Sequence, residues 1–288
     1  MSTPPRLHVF RQLARSLYGE VLECELPGNR EHVAVKCISL SRAAEVRGRA
    51  PSTREIDNPL QEQRVAALLM ARGGHPNVVM PRSHFVHQRR LYLVAELCAD
   101  GDLHSLLSVR VNKGNYLEGR EVLRLMHQVL NGVYYLHTTI GIAHRDLSLE
   151  NVLLSRGVCK ITDFGLSTAA NSMCSGGLVG KEFYMAPEVV AGERYDPMLA
   201  DVWSLGIMWF IMLTGSPLLP LASPAEKGFA AVARHGVGAI VKAWGHADRL
   251  SDDAIRLLEK MLQIDPGRRI SLDEVVNHSV FATAGIDE

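Results

Sequence analysis

The chain has 288 residues, with 31 Lys and Arg set against 31 Asp and Glu. That length suits one two-lobed domain or two small ones, and the zero net charge argues against nucleic acid as the main partner. No apolar run approaches the ~18 residues that span a bilayer, so no membrane partner is expected.

Residues 1–10 read as a short tail. Met1-Ser2-Thr3-Pro4-Pro5 has no charged region followed by an apolar one, which excludes a secretory leader. Ser2 stands where a myristate acceptor would need glycine, so no myristate is implied. Leu13 to Val21 lies between two strand-like segments and reads as a hairpin. Val33-Ala34-Val35-Lys36 alternates as a strand does. Residues 41–60 are polar, with four arginines and two prolines, and read as a solvated loop that could also dock an acidic partner. From Leu60 to Ala71 the pattern is helical, with Val65, Ala66 and Leu69 on one face. His75-Pro76-Asn77 marks its exit. Leu91 to Cys98 is a buried strand running into a connector, and Ala99-Asp100-Gly101-Asp102 is turn chemistry.

Residues 119–140 form a long core helix by the spacing of Val122, Leu125, Met126, Val129, Leu130, Val133 and Leu136; His137 reads as an ordinary helix-end residue. A second apolar helix starts at Asp201 and runs to about Leu213. The five cysteines are scattered, without a Cys-x-x-Cys pair, and read as reduced thiols of the cytosol or nucleus.

Between these helices lies the stretch that carries chemistry, His144-Arg145-Asp146-Leu147-Ser148-Leu149-Glu150-Asn151. Asp163-Phe164-Gly165 begins twelve residues after Asn151. Two short strands joined by a turn would bring Asp146, Asn151 and Asp163 to one end of a hairpin. That supplies a base for a hydroxyl proton and two oxygen ligands for magnesium, a hard cation. The spelling resembles the catalytic loop and metal-binding tripeptide of the eukaryotic protein kinases, serine/threonine type.

The resemblance runs from about residue 11 to 281, which leaves no room in this sequence for a regulatory domain. It implies the bilobal α+β kinase fold. The small lobe, 1–97, is an antiparallel sheet with one helix, and the large lobe, 98–288, is mainly helical. The implied reaction moves the γ-phosphoryl of ATP to a protein hydroxyl, with ATP and Mg2+ as cofactors and a protein as substrate; no regulatory partner is named. Asp146 takes the base role, and Asn151 and Asp163 hold the metal.

Lys36, set by Glu62, positions the phosphates. Glu55 is the rival for that pairing, but Glu62 has the apolar residues of its helix at +3, +4 and +7. Leu13, Gly19 and Val21 belong to the lid over the nucleotide, and Val21 with Ala34 roofs the adenine. Ala95 takes the gatekeeper position, usually bulky, before Glu96. Cys98 lies in the hinge, Asp102 near the ribose, and Leu153 closes the pocket from below. Glu188 of Ala-Pro-Glu pairs with Arg269.

Four departures stand out. The lid keeps one glycine of three, with Ala14 and Ser16 at the other positions. Ser148 stands where the family has lysine, and Lys181 where it has threonine. Two independent losses are one reading of that exchange. In the other, Lys181 reaches Asp146 and the transferring phosphate, with Ser148 as its partner, and both join the catalytic set. Arg145 normally receives an activation-segment phosphate, yet the usual acceptor position is Gly177, with Ser175 the nearest hydroxyl. The insert at 41–60 is longer than usual. The thinned lid and the exchange also admit a second reading, a pseudokinase that binds nucleotide without phosphotransfer.

Overall fold

The computed structural model describes residues 7–28, 30–51 and 53–281. Strands β1 (His8–Ser16), β2 (Gly19–Glu25), β3 (His32–Ser39), β4 (Pro81–His87) and β5 (Arg90–Glu96) form one antiparallel sheet in the order β1-β2-β3-β5-β4. Residues 8–10, expected in a tail, instead open β1, where His8 and Val9 pair with Glu25 and Cys24 at the end of β2. In β3 the two-residue period sorts the side chains: Val33, Val35 and Cys37 are buried on one face, while Ala34 and Lys36 point to the other. Ala34 lies opposite Ala95 in the β3–β5 register, so both methyl groups face the same side.

The segment 41–60 is not a loop throughout. It begins as helix α1 (Leu40–Arg49), because Ser39 caps its first turn through Arg42 N and Ala43 is buried against the sheet beside Ile38 and Leu91. Residues 53–58 then form a strap, bridged to the later chain between Arg54 and Leu178. Asn58 caps helix α2 (Pro59–Ala71), with Pro59 pre-set for the first helical position. The α2 face carrying Val65, Ala66 and Leu69 is buried, as its spacing requires.

The rest of the chain is mainly helical. Helices α3 (Leu103–Asn112) and α4 (Gly119–Tyr135) come first, and α4 ends in one π-helical turn, Leu136–Ile140. The 3.6-residue period buries Val122, Leu125, Met126, Val129, Leu130 and Val133 along one side of α4. Short strands β6 (Ile142–Ala143) and β9 (Thr168–Ala169) pair, and β7 (Val152–Ser155) with β8 (Val158–Ile161) makes the hairpin expected between Asn151 and Asp163. The remaining helices are α5 (Pro187–Val190), α6 (Pro197–Thr214), α7 (Lys227–His235), α8 (Val237–Ala243), α9 (Asp252–Met261) and α10 (Leu272–Val276).

Helix α6 corrects the expectation that no apolar run nears bilayer length. It has 18 residues and a mean hydropathy of 1.4, yet 83% of it is buried inside the protein. Its continuous apolar character reflects contacts on every side: Trp203, Trp209 and Phe210 are fully buried in the core shared with α4 and α9. The sheet and the helical region form the two lobes expected, α+β in class, joined through residues 97–102.

Candidate active site

A cavity of about 680 Å³ lies between the sheet and the helical lobe. Its upper wall carries Leu13, Val21, Ala34 and Lys36; its back edge carries Ala95, Glu96 and Cys98; its floor carries Asp102, Leu153, Asn151 and Asp163. Arg15 also lines it, a lid cation that a reading centred on glycines passes over.

Gly19 is not among the residues on the cavity wall. A Cβ there would sit 1.9 Å from the carbonyl oxygen of Cys37, so the glycine is needed for the close approach of β2 to β3 rather than to cradle a phosphate. The turn faces the cavity through Ala14, Ser16 and Leu17 instead.

Lys36 Nζ lies 2.8 and 2.9 Å from the two carboxylate oxygens of Glu62 and 3.1 Å from Asp163 Oδ1. Burial works against its charge, but the two carboxylates prevail and hold the ammonium above its ordinary pKa. Asp163 is half-buried, and Lys36 pulls its pKa below the usual carboxylate value against the effect of desolvation. Its backbone has φ of +66°, a left-handed conformation costly for a residue with a side chain. Phe164 packs inward against the His144 ring, which turns Asp163 to the cleft.

Asp146 is anchored by Asn151, whose Nδ2 donates to the Asp146 carbonyl at 2.7 Å and to Oδ2 at 2.8 Å. The other carboxylate oxygen, Oδ1, is buried with no hydrogen-bond partner. Burial raises the Asp146 pKa. An unpartnered buried acceptor is costly unless something donates to it, so Oδ1 is open to a donor from outside the chain. With its N–H groups turned to Asp146, Asn151 keeps its carbonyl oxygen as an acceptor. Together with the Asp163 carboxylate this gives a set of hard oxygen donors.

Lys181 departs from expectation. Its ammonium lies 2.7 Å from Ser148 Oγ and 3.4 Å from Glu150 Oε2, and its ion pair is with Glu150 rather than Asp146. The Ser148 hydroxyl and the Glu150 carboxylate together supply the ammonium with a hydrogen-bond acceptor and a counter-charge, so it does not turn to Asp146. Its charge nevertheless acts on Asp146, lowering that pKa against the effect of burial.

Sequence reasoning missed Asp201. It is fully buried and receives His144 N at 2.7 Å, Arg145 N at 2.8 Å and His137 Nε2 at 2.8 Å. These bonds hold Arg145 at φ of +64° immediately before Asp146. His137, expected to be an ordinary helix-end residue, is therefore a buried partner of the catalytic-loop anchor. The available signal was a lone carboxylate in an otherwise apolar helix. Cys98 lines the cleft, and burial pushes its thiol up to about 11, which makes it unreactive. Asp102 uses both carboxylate oxygens on Ser105, capping α3. Glu96 accepts from Met80 N and pairs with Lys160, which fixes the start of the connector.

The protein kinase domain family matches residues 7–281 of this chain. The chain is 32% identical to Calcium-dependent protein kinase 26 of Oryza sativa subsp. japonica, over 94% of this chain and 47% of the relative. It is 32% identical to Calcium-dependent protein kinase 33 of Arabidopsis thaliana, over 96% and 50%. It is 30% identical to CBL-interacting protein kinase 20 of Oryza sativa subsp. japonica, over 96% and 57%. The chain spans about half the length of these curated relatives. The match across nearly all of it, on a cleft that assembles Lys36, Glu62, Asp146, Asn151 and Asp163, makes this chain a member of the protein kinase domain family.

Proposed function

We propose that this protein transfers the γ-phosphoryl of ATP to serine or threonine hydroxyls of a protein substrate. The observation that carries the reading is Asp146 Oδ1, buried and without a hydrogen-bond partner, while Oδ2 of the same carboxylate is held by Asn151. A substrate hydroxyl donating to Oδ1 would satisfy it and be oriented for attack, and the raised pKa suits a group that accepts the proton. Lys36, held by Glu62, is placed to bind the nucleotide phosphates. Asn151 and Asp163 would hold Mg2+, which when bound neutralises charge on the phosphates. Ala34, Val21 and Leu153 supply apolar surface for the adenine. A reducing compartment, cytosol or nucleus, suits the five free cysteines.

The test is magnesium-dependent ADP production by the purified protein with a serine/threonine peptide library, beside Asp163→Asn. Turnover in the parent and a loss of ~10²-fold or more in the variant is expected. Equal rates would remove Asp163 from the metal site. Nucleotide binding without any turnover would make the protein a pseudokinase.

A further inference from the structure

The guanidinium of Arg145, the residue before the base, is where a kinase activation segment delivers its phosphate. Here it is already occupied. Arg145 Nη1 and Nη2 donate to the two carboxylate oxygens of Glu55 at 3.0 and 2.7 Å, and Nε donates to Leu166 O at 2.8 Å. The Arg145 side chain is 9% exposed. This fork-to-fork geometry is the strong form of a charge-assisted contact.

Glu55 comes from the strap that follows α1, not from the activation segment. The strap pairs with that segment through its backbone: Glu55 N donates to Leu178 O and Leu178 N donates to Thr53 O, both at 2.8 Å. Gly177, at the usual phosphate-acceptor position, lies beneath it. A Cβ on Gly177 would sit 2.4 Å from the Thr53 carbonyl carbon and 2.6 Å from Arg54 N, so no hydroxylated side chain fits there. The long insert and the missing acceptor thus account for each other. Ser175, the nearest hydroxyl, is exposed and is not among the Arg145 partners.

The strap also reaches the rest of the machinery. Asn58 N bonds Gly165 O at 2.9 Å, beside Asp163, and Glu62 N bonds Asn58 O at 3.1 Å at the start of α2. The Tyr18 hydroxyl at the lid tip donates to Asp57 O at 2.7 Å. Arg47 of α1 holds the strap from behind, through Ile56 O and Asp57 O.

We propose that Glu55 is the built-in counter-ion of Arg145, a positioning residue that keeps the activation segment ordered for phosphotransfer without a phosphate on it. The proposal rests on the phosphotransfer reading above. Its test uses the full chain, phosphatase-treated and shown by intact mass to carry no phosphate. Steady-state kinetics and hydrogen exchange of residues 174–184 are measured for the parent, Glu55→Gln and Glu55→Asp.

The dephosphorylated parent is expected to remain active. Glu55→Gln, which keeps the shape and loses the charge, should lower kcat by ~10-fold or more with little change in KM for ATP, as expected when a positioned group drifts. It should also speed exchange in 174–184, and Glu55→Asp should recover part of both. Parental kcat and parental exchange in Glu55→Gln would overturn the proposal, as would loss of activity in the parent on phosphatase treatment. If no protein turns over, the phosphotransfer reading fails, and the exchange comparison alone still decides whether Glu55 orders the segment.

Discussion

The guanidinium of Arg269 meets both carboxylate oxygens of Glu188, at 2.6 and 2.9 Å, with the two side chains sealed from water. Arg269 also donates to Leu199 O and Gln263 O, so one residue near the end of the chain ties α5 to the start of α6 and the turn after α9. Removing one partner strands the other as a buried charge, which costs about 3–5 kcal/mol. Arg269→Ala should therefore lower the urea midpoint by that equivalent. A loss below ~1 kcal/mol would mean that Glu188 finds water or another donor.

The hairpin carrying Asn151 and Asp163, the buried stripe of α4 and the Glu188–Arg269 pair were legible because each rests on local spacing or on a distinctive spelling. The choice of Glu62 over Glu55 for Lys36 was legible from the apolar face of α2, since a carboxylate one turn before that face must point to the sheet. The true partner of Glu55 was not, because 90 residues separate it from Arg145 and no local pattern announces the strap. Residues 41–60 read as solvated because their arginines look like surface charge, whereas Arg47 is bound to backbone carbonyls of the strap. Charge alone points Lys181 at Asp146, and only the folded structure shows its ammonium taken up by Ser148 and Glu150.

Ala95 leaves a space behind the cleft. A cavity of about 60 Å³ is walled there by Ala66, Leu93, Phe164 and the Ala95 methyl itself. Glu62, Thr162 and Asp163 line its other side, and its apolar portion is open to an apolar group. ATP-competitive inhibitors carrying an aromatic substituent at that edge should bind the parent and lose ~10-fold or more, about 1.4 kcal/mol, in Ala95→Met. Competition titrations on both proteins check this, and equal affinities would show that the substituent does not enter.

Asp57 makes stability depend on pH. It lines the cleft near Asp163, and burial first, then the Asp163 charge, raises its carboxyl to about 6. Its ordinary value is 3.8, so between those values the folded state holds more protons than the unfolded one. Stability from this group therefore falls as pH rises through the window, and the penalty is complete above about 6. Asp57→Asn should match the parent near pH ~4 and exceed it at neutral pH by roughly 1–2 kcal/mol, the upper figure of about 3 being reduced by solvent screening. Urea unfolding at both pH values measures the gain; a difference that does not grow with pH would refute the assignment.

Lys181 and Ser148 form the contact that an exchange of cation and hydroxyl requires, Nζ to Oγ at 2.7 Å, with Ser148 fully buried and Glu150 at 3.4 Å orienting the ammonium. No direct ion pair joins Lys181 to Asp146, so its action on that carboxylate is through space. At an effective dielectric of ~20, a unit charge ~8 Å away is worth about 2 kcal/mol before desolvation, enough to alter a rate. Lys181→Thr should lower kcat by ~10–100-fold, about 1.4–2.7 kcal/mol of barrier. It should also move the acidic limb of the kcat/KM profile upward, because the cation that restrains the Asp146 pKa is gone. Ser148→Lys alone places a second ammonium against Lys181 and should be slow as well. Combining the two returns one cation and one hydroxyl to the site in exchanged positions, and should recover much of the rate. A coupling of about 0.5–3 kcal/mol in this double-mutant cycle is the range for side chains in contact. Losses that simply add, with no movement of the acidic limb, would mean that Lys181 serves Glu150 and the substrate loop alone and contributes nothing to the base.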